Sequence, residues 1–258
     1  PGVASMKAII LKAPGTNRDY DVQSAIEQAG GHADILPISR LRSDARLLRN
    51  YGMLVIPGGF SYGDALGAGR LFALDLSRFF AEEVGRFIES GKPVLGICNG
   101  FQVLVRAGIL PGKQFEPHRF TLAHNENGSF ECRWVRLMAP ASNSVWTIGI
   151  DFLFCPIAHG EGRFSADSAE AIEKLDKKGC IALQYTDYSG ELANGRYPEN
   201  PNGSIGDIAG ICNPEGNVLG LMPHPENAVL EWQTLALAGR TADGARKLFE
   251  NGLRYAAL

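Results

Sequence analysis

Apolar residues are clustered along the chain in two ways. Four short, mostly apolar runs, Met6–Leu11, Ala33–Leu36, Met53–Ile56 and Pro93–Ile97, are followed closely by Gly or Pro. Runs without clear alternation suit strands buried on both faces. Helical spacing lies between them. Asn17 or Asp19 can cap a helix running to about Ala29 and stopped by Gly30-Gly31. Phe80, Val84, Phe87 and Ile88 then recur at i, i+4, i+7 and i+8, one face of a helix closing at Gly91. Gly100–Arg106 continues as a helix after the fourth strand. Strands alternating with helices predict an α/β fold with a mainly parallel sheet flanked by helices.

The second half has a different texture. Cys132–Met138, Phe154–Ala158, Cys180–Tyr185, Ile208–Cys212 and Val218–Met222 read as strands. Asn213-Pro214-Glu215-Gly216 is a tight-turn sequence, so the last two should pair as a hairpin. This half is expected to be more antiparallel. Asp187–Ser204 is a long polar stretch, the kind of loop that is functional or disordered. A final helix is expected over Ala242–Tyr255. Residues 1–5 read as a remnant or frayed lead-in before Met6. No repeat or linker divides the rest, so 6–258 reads as one domain.

Composition narrows the function. The chain has 258 residues, 45% of them hydrophobic, with 25 basic against 28 acidic residues and a net charge of −3. It contains no apolar run of ~18 residues to span a membrane, and its start lacks the apolar core of a signal peptide. The absence of basic clusters argues against nucleic-acid binding. Five cysteines, an odd number with no CxxC spacing, fit free thiols in a reducing, cytoplasmic setting. Each would by default be a small buried hydrophobe. Glycine is abundant, with 31 residues against roughly 7% in an average chain. Some of these glycines fall where chemistry is expected.

Gly96-Ile97-Cys98-Asn99-Gly100 joins an apolar strand to a helix. This is the spacing of a nucleophile elbow, with sulfur as the nucleophile. Such a turn raises the side chain at the carboxyl end of the sheet, in front of a helix N-terminus that favours thiolate. Five histidines could serve as its proton carrier. His118 and His124 lie in a polar stretch whose spacing suits no metal site, and His32 opens a strand. His159 lies in His159-Gly160-Glu161-Gly162. His224 lies in Met222-Pro223-His224-Pro225-Glu226, where two prolines should hold the chain extended and turn His224 and Glu226 the same way. A carboxylate beside an imidazole fixes its tautomer and supports its charge. Cys98, His224 and Glu226 therefore read as a cysteine triad for acyl transfer through a thioester. Such chemistry needs an oxyanion hole. The Asn99 N–H is one candidate donor, and Pro57-Gly58-Gly59-Phe60, after another strand, offers a second.

Taken in order, Pro57-Gly-Gly-Phe-Ser-Tyr-Gly-Asp64, Gly96-Ile-Cys-Asn-Gly-Phe-Gln102, His159-Gly-Glu-Gly162 and Met222-Pro-His-Pro-Glu226 resemble the motifs of the class I (triad) glutamine amidotransferases. The likeness runs from about Met6 to Glu226 and is strongest to the purine-biosynthetic branch. It implies the flavodoxin-like fold of that family, a mainly parallel sheet with a smaller antiparallel sheet in the C-terminal half. It also implies that Cys98 attacks the side-chain amide of L-glutamine, releases ammonia and forms a γ-glutamyl thioester that water cleaves. His224 and Glu226 would complete the triad, and Gly59 and Asn99 would supply oxyanion N–H groups. Gln102, Gly58 and His159 would lie in the glutamine pocket. Asn227 departs from the Arg that often follows the HPE motif, and the 187–204 loop and 230–241 segment are longer than in compact relatives.

No phosphate-binding GxxxxGK[ST] loop is present, and no stretch remains for a nucleotide domain. The resemblance accordingly implies no cofactor and no metal in this chain. ATP and Mg²⁺ would sit on a partner synthetase that turns formylglycinamide ribonucleotide into its amidine, with a small bridging subunit between the two. Three alternatives remain. One is a glutaminase feeding another acceptor, such as CTP or pyridoxal phosphate synthesis. Another is a cysteine hydrolase of the related superfamily, and the third is a non-catalytic scaffold.

Overall fold

A computed structural model describes residues 7–113, 118–234 and 242–258. The expectations for residues 1–6 and for most of the 230–241 segment lie outside the described residues. The apolar runs become the strands β1 (Lys7–Lys12), β2 (His32–Pro37), β3 (Met53–Ile56) and β4 (Val94–Ile97). Around them lie the helices α1 (Asp19–Gln28), α2 (Ile38–Ser43), α3 (Arg70–Phe79), α4 (Ala81–Glu89) and α5 (Asn99–Arg106). The second half supplies β5 (Phe120–Ala123), β6 (Glu131–Met138), β7 (Phe152–His159) and β8 (Arg163–Ala166). After α6 (Ala169–Lys177) come β9 (Ile181–Thr186), β10 (Ile208–Cys212) and β11 (Val218–Leu221). The short α7 (Glu231–Thr234) and α8 (Asp243–Ala256) follow.

Nine strands form one sheet in the order β2-β1-β3-β4-β11-β10-β9-β6-β7, and β5 and β8 form a separate antiparallel pair. Pairing is parallel from β2 to β11 and antiparallel from β11 to β7. The expected hairpin is present, with Ile211 opposite Gly220. Register positions the site. Ile56 pairs with Gly96, and Ile97 pairs with Leu221, so β3, β4 and β11 end at one level. The residues that follow, 57–60, Cys98 and 222–226, emerge together at the carboxyl edge, where open α/β sheets place their ligands. The antiparallel half curls back over this edge. Pro156 of β7 accepts the His224 N–H at 2.8 Å.

Several expectations change. Neither Asn17 nor Asp19 caps α1, since Arg18 holds the cap position and no side chain bonds there. Asp19 is buried and takes Lys12 Nζ at 2.6 Å. The 187–204 loop is mostly exposed over 187–199 but packed at its 200–204 end. Asn202 is fully buried, and its Nδ2 donates to Gly162 O at 2.9 Å, so the loop buttresses the 160–162 turn. Four cysteines are buried, but Cys132 is exposed. Among the described residues, no helix is long and apolar enough to cross a membrane.

Candidate active site

Cys98 lies between β4 and α5 with φ 51° and ψ −106°, a left-handed conformation that a side-chain-bearing residue adopts only when its surroundings enforce it. The enforcement is visible. Its N–H donates to Leu221 O at 2.8 Å, and a Cβ on Gly100 would lie 1.9 Å from Ile56 O. The elbow thus needs glycine so that α5 can pass close to β3. Cys98 is 6% exposed, with Sγ 3.8 Å from Ala158 O.

His224 and Glu226 face each other, with Nδ1 2.6 Å from Oε1 and side chains 4% and 0% exposed. The pairing was expected, but its geometry differs. Pro225–Asn227 form one turn of 3₁₀ helix, so it is this turn, not an extended chain, that brings the carboxylate onto the ring. Nε2 of His224 is buried and without a protein hydrogen bond. Burial pulls the imidazole down. The negative charges of Glu226 and Cys98, with the hydrogen bond to Glu226, outweigh it and bring His224 up to about 10. Gly58 gives the ring its room, because a Cβ there would lie 2.8 Å from His224 Cε1 and 3.4 Å from Cys98 Cβ.

A cleft of about 270 Å³ opens over the sulfur, and Gly59, Phe60, Cys98, Gln102, His159 and His224 contribute to its walls. His159 is buried beside His224 but lacks a carboxylate. Its Nδ1 meets Asn125 Oδ1 at 3.1 Å. Asn125 Nδ2 donates to the carbonyls of Ser129 and His159, at 2.9 and 2.8 Å. Its Oδ1 must therefore be the acceptor, and His159 Nδ1 carries the proton. Desolvation, followed by the charge of His224, pushes His159 down to about 3. Gln102 reaches the cleft with both polar ends engaged: Nε2 donates to Glu161 O at 2.5 Å, and Oε1 accepts from Asn99 Nδ2 at 3.1 Å. Asp64, on the same wall, has its carboxyl pushed up by burial, with Glu161 adding to the effect and bonds from Gly69 and Asn99 opposing it.

Of the sequence-predicted residues, Cys98, His224, Gly59, Gln102 and His159 line one cleft, while Glu226, Gly58 and Asn99 sit behind it, against His224, the Cys98–His224 pair and Gln102 in turn. Asn125 and the Ala158 carbonyl were not singled out by sequence, and Ser61 and Asp64 entered there only as part of the 57–64 motif. Among the described residues, no group of three or more His, Cys, Asp or Glu is placed to hold a metal.

Fold and site together define a class. Residues 5–256 match the CobB/CobQ-like glutamine amidotransferase domain, and the chain belongs to that family. Its relatives include the phosphoribosylformylglycinamidine synthase subunit PurQ of Treponema denticola, 52% identical over 239 residues, 87% of this chain and 88% of that one. The subunit of the same name from Dehalococcoides mccartyi is 42% identical over 98% of this chain and 99% of its own. A chain in the structure of PurLQS from Thermotoga maritima matches with a TM-score of 0.74 at 32% identity, covering 97% of this chain and 99% of that one.

Proposed function

We infer that this chain is the glutaminase subunit of a phosphoribosylformylglycinamidine synthase, releasing ammonia from L-glutamine for purine biosynthesis. The observation that carries the chemistry is the buried His224–Glu226 pair, with Nε2 left unpartnered on a ring that lines the cleft with Cys98. Cys98 attacks the amide carbon of glutamine. The N–H groups of Gly59 and Asn99 stabilise the oxyanion that forms. His224 gives its proton to the departing nitrogen, and ammonia leaves a γ-glutamyl thioester. The thioester sulfur carries no charge, so one support of the imidazolium is gone. His224 can then act as base for the water that releases glutamate and restores the sulfur. Gly58, Gln102 and His159 form the glutamine pocket.

Ammonia passes to a synthetase subunit that carries ATP and Mg²⁺, with a small third subunit bridging the two. The likeness to a PurLQS chain supports this arrangement. Isolated, the chain should hydrolyse glutamine weakly and be activated strongly by the synthetase. The mechanism is tested with a glutamine-like electrophile such as diazo-oxonorleucine and peptide mass mapping. The adduct is expected on Cys98, blocked by glutamine and lost in Cys98→Ala. Label on Cys132, Cys155, Cys180 or Cys212 instead would overturn it.

A further inference from the structure

The segment that carries Gly59 has little regular structure to fix it. Gly59, Tyr62, Gly63, Asp64, Leu66, Gly67 and Gly69 all have positive φ, which suits neither a strand ladder nor an α-helix. One side leans on the turn before α1, where the Phe60 N–H donates to Gly15 O at 3.2 Å and the Tyr62 N–H to Pro14 O at 2.5 Å. The other side is tied to the nucleophile helix through the side chain of Asn99. Asn99 Oδ1 accepts from the Ser61 N–H at 3.3 Å and from Ser61 Oγ at 2.5 Å. Asn99 Nδ2 donates to Asp64 Oδ1 at 3.0 Å and to Gln102 Oε1 at 3.1 Å.

The orientation of both amides is fixed by their partners. The Ser61 N–H can only donate, so Oδ1 of Asn99 must face it. The Glu161 carbonyl can only accept, so Nε2 of Gln102 must face it, leaving Oε1 for Asn99. Ser61, Asn99 and Gln102 are each 3% exposed. A buried network with its partners matched this way rigidifies what it joins.

We propose that the Asn99 side chain is a positioning residue for the oxyanion hole. Its carboxamide sets the separation between the backbone N–H of Gly59 and the backbone N–H of Asn99 itself. Through Gln102 it also holds the 159–162 turn against the cleft. This rests on the assignment of those two N–H groups as oxyanion donors. Oxyanion stabilisation depends on donor placement, and a misplacement of about 1 Å can lower a rate about 100-fold. Asn99→Ala keeps the backbone donor and removes only the clamp.

The test uses the full chain and three readouts: single-turnover thioester formation from glutamine, KM, and the rate at which iodoacetamide alkylates Cys98. Alkylation builds no oxyanion, so it reports the nucleophile alone. Asn99→Ala should slow thioester formation about 10- to 100-fold, more than it raises KM through the loosened Gln102, with alkylation nearly unchanged. Asn99→Asp keeps the acceptor for Ser61 but sets a carboxylate against Asp64 and Gln102 Oε1, and should be equally slow at neutral pH. Ser61→Ala loses only the Oγ contact and should show a smaller loss in the same step. Wild-type thioester formation in Asn99→Ala would overturn the proposal, as would an equal loss in alkylation. If Asn99→Ala does not fold, unchanged thioester formation in Ser61→Ala overturns it. Cys98→Ala is read separately: continued glutamate release there would sink the assignment of the nucleophile, not the clamp.

Discussion

His224 and His159 line the same cleft and are both buried, 3% and 4% exposed, yet they are driven to opposite ends of the scale. His224 has a carboxylate at 2.6 Å and rises to about 10, whereas His159 has a carboxamide at 3.1 Å and falls to about 3. Burial opposes the charged form of both rings, and only a formal negative charge outweighs it. One ring is therefore held protonated and the other neutral, so the proposed mechanism has only His224 to carry its proton.

The largest expected effect comes from removing that carboxylate. Glu226→Gln keeps the size of the side chain and should lower the rate of glutamine hydrolysis roughly 10³- to 10⁴-fold. A loss of less than tenfold, measured as glutamate release, would break the comparison. Cys98→Ala removes the other charge and should lower the His224 pKa from about 10 while leaving the Glu226 contact intact; a ¹H–¹⁵N NMR titration reads it directly. The mirror change is Asn125→Asp, which gives His159 a carboxylate and should raise it from about 3. If the His159 ring still stayed neutral down to pH 4, the partner would not be the deciding factor.

A smaller effect appears in stability. From pH 6.5 up to about 10, native His224 keeps a proton that the unfolded chain releases, so its contribution to stability is lost as pH rises through that window. From 6.5 down to about 3, unfolded His159 takes up a proton that the native chain refuses, so stability falls as pH drops. Together the two rings favour a stability maximum near 6.5. Urea denaturation across pH 4 to 9 should show Glu226→Gln flattening the alkaline limb and Asn125→Asp the acid limb. Unaltered slopes in both variants would argue that other groups set the profile.

The elements that the sequence disclosed are those in which local chemistry and tertiary role coincide. Met53–Ile56 and Ile208–Cys212 are continuous apolar runs and occupy the interior of the sheet. Cys98 was legible because the elbow demands small residues two positions either side, and Glu226 because its partner lies only two residues away. α3 went unread because Leu74 and Phe79 stay exposed, which blurs the apolar face of Phe72 and Leu76. β5 and β8 have four residues each, too few for alternation to register. The neutrality of His159 was hidden because Asn125 lies 34 residues away in a loop, where no periodicity links the two. The network around Asn99 was hidden for the same reason: Ser61 and Asp64 are 38 and 35 residues distant.

The place of β11 bears on how the protein is made. It is the last strand among the described residues, yet it sits at the centre of the sheet, between β4 and β10. As the chain emerges from the ribosome, β1 to β4 can assemble first and leave the inner edge of β4 waiting. Such a pairing, across more than a hundred residues of intervening chain, is slow to form, and the open edge is prone to stray association meanwhile. The insertion of β11 closes that edge and carries His224 and Glu226 to the sulfur in the same event. If the proposed triad does the chemistry, nascent and half-folded chains should be silent, because the step that completes the sheet also brings its three members together.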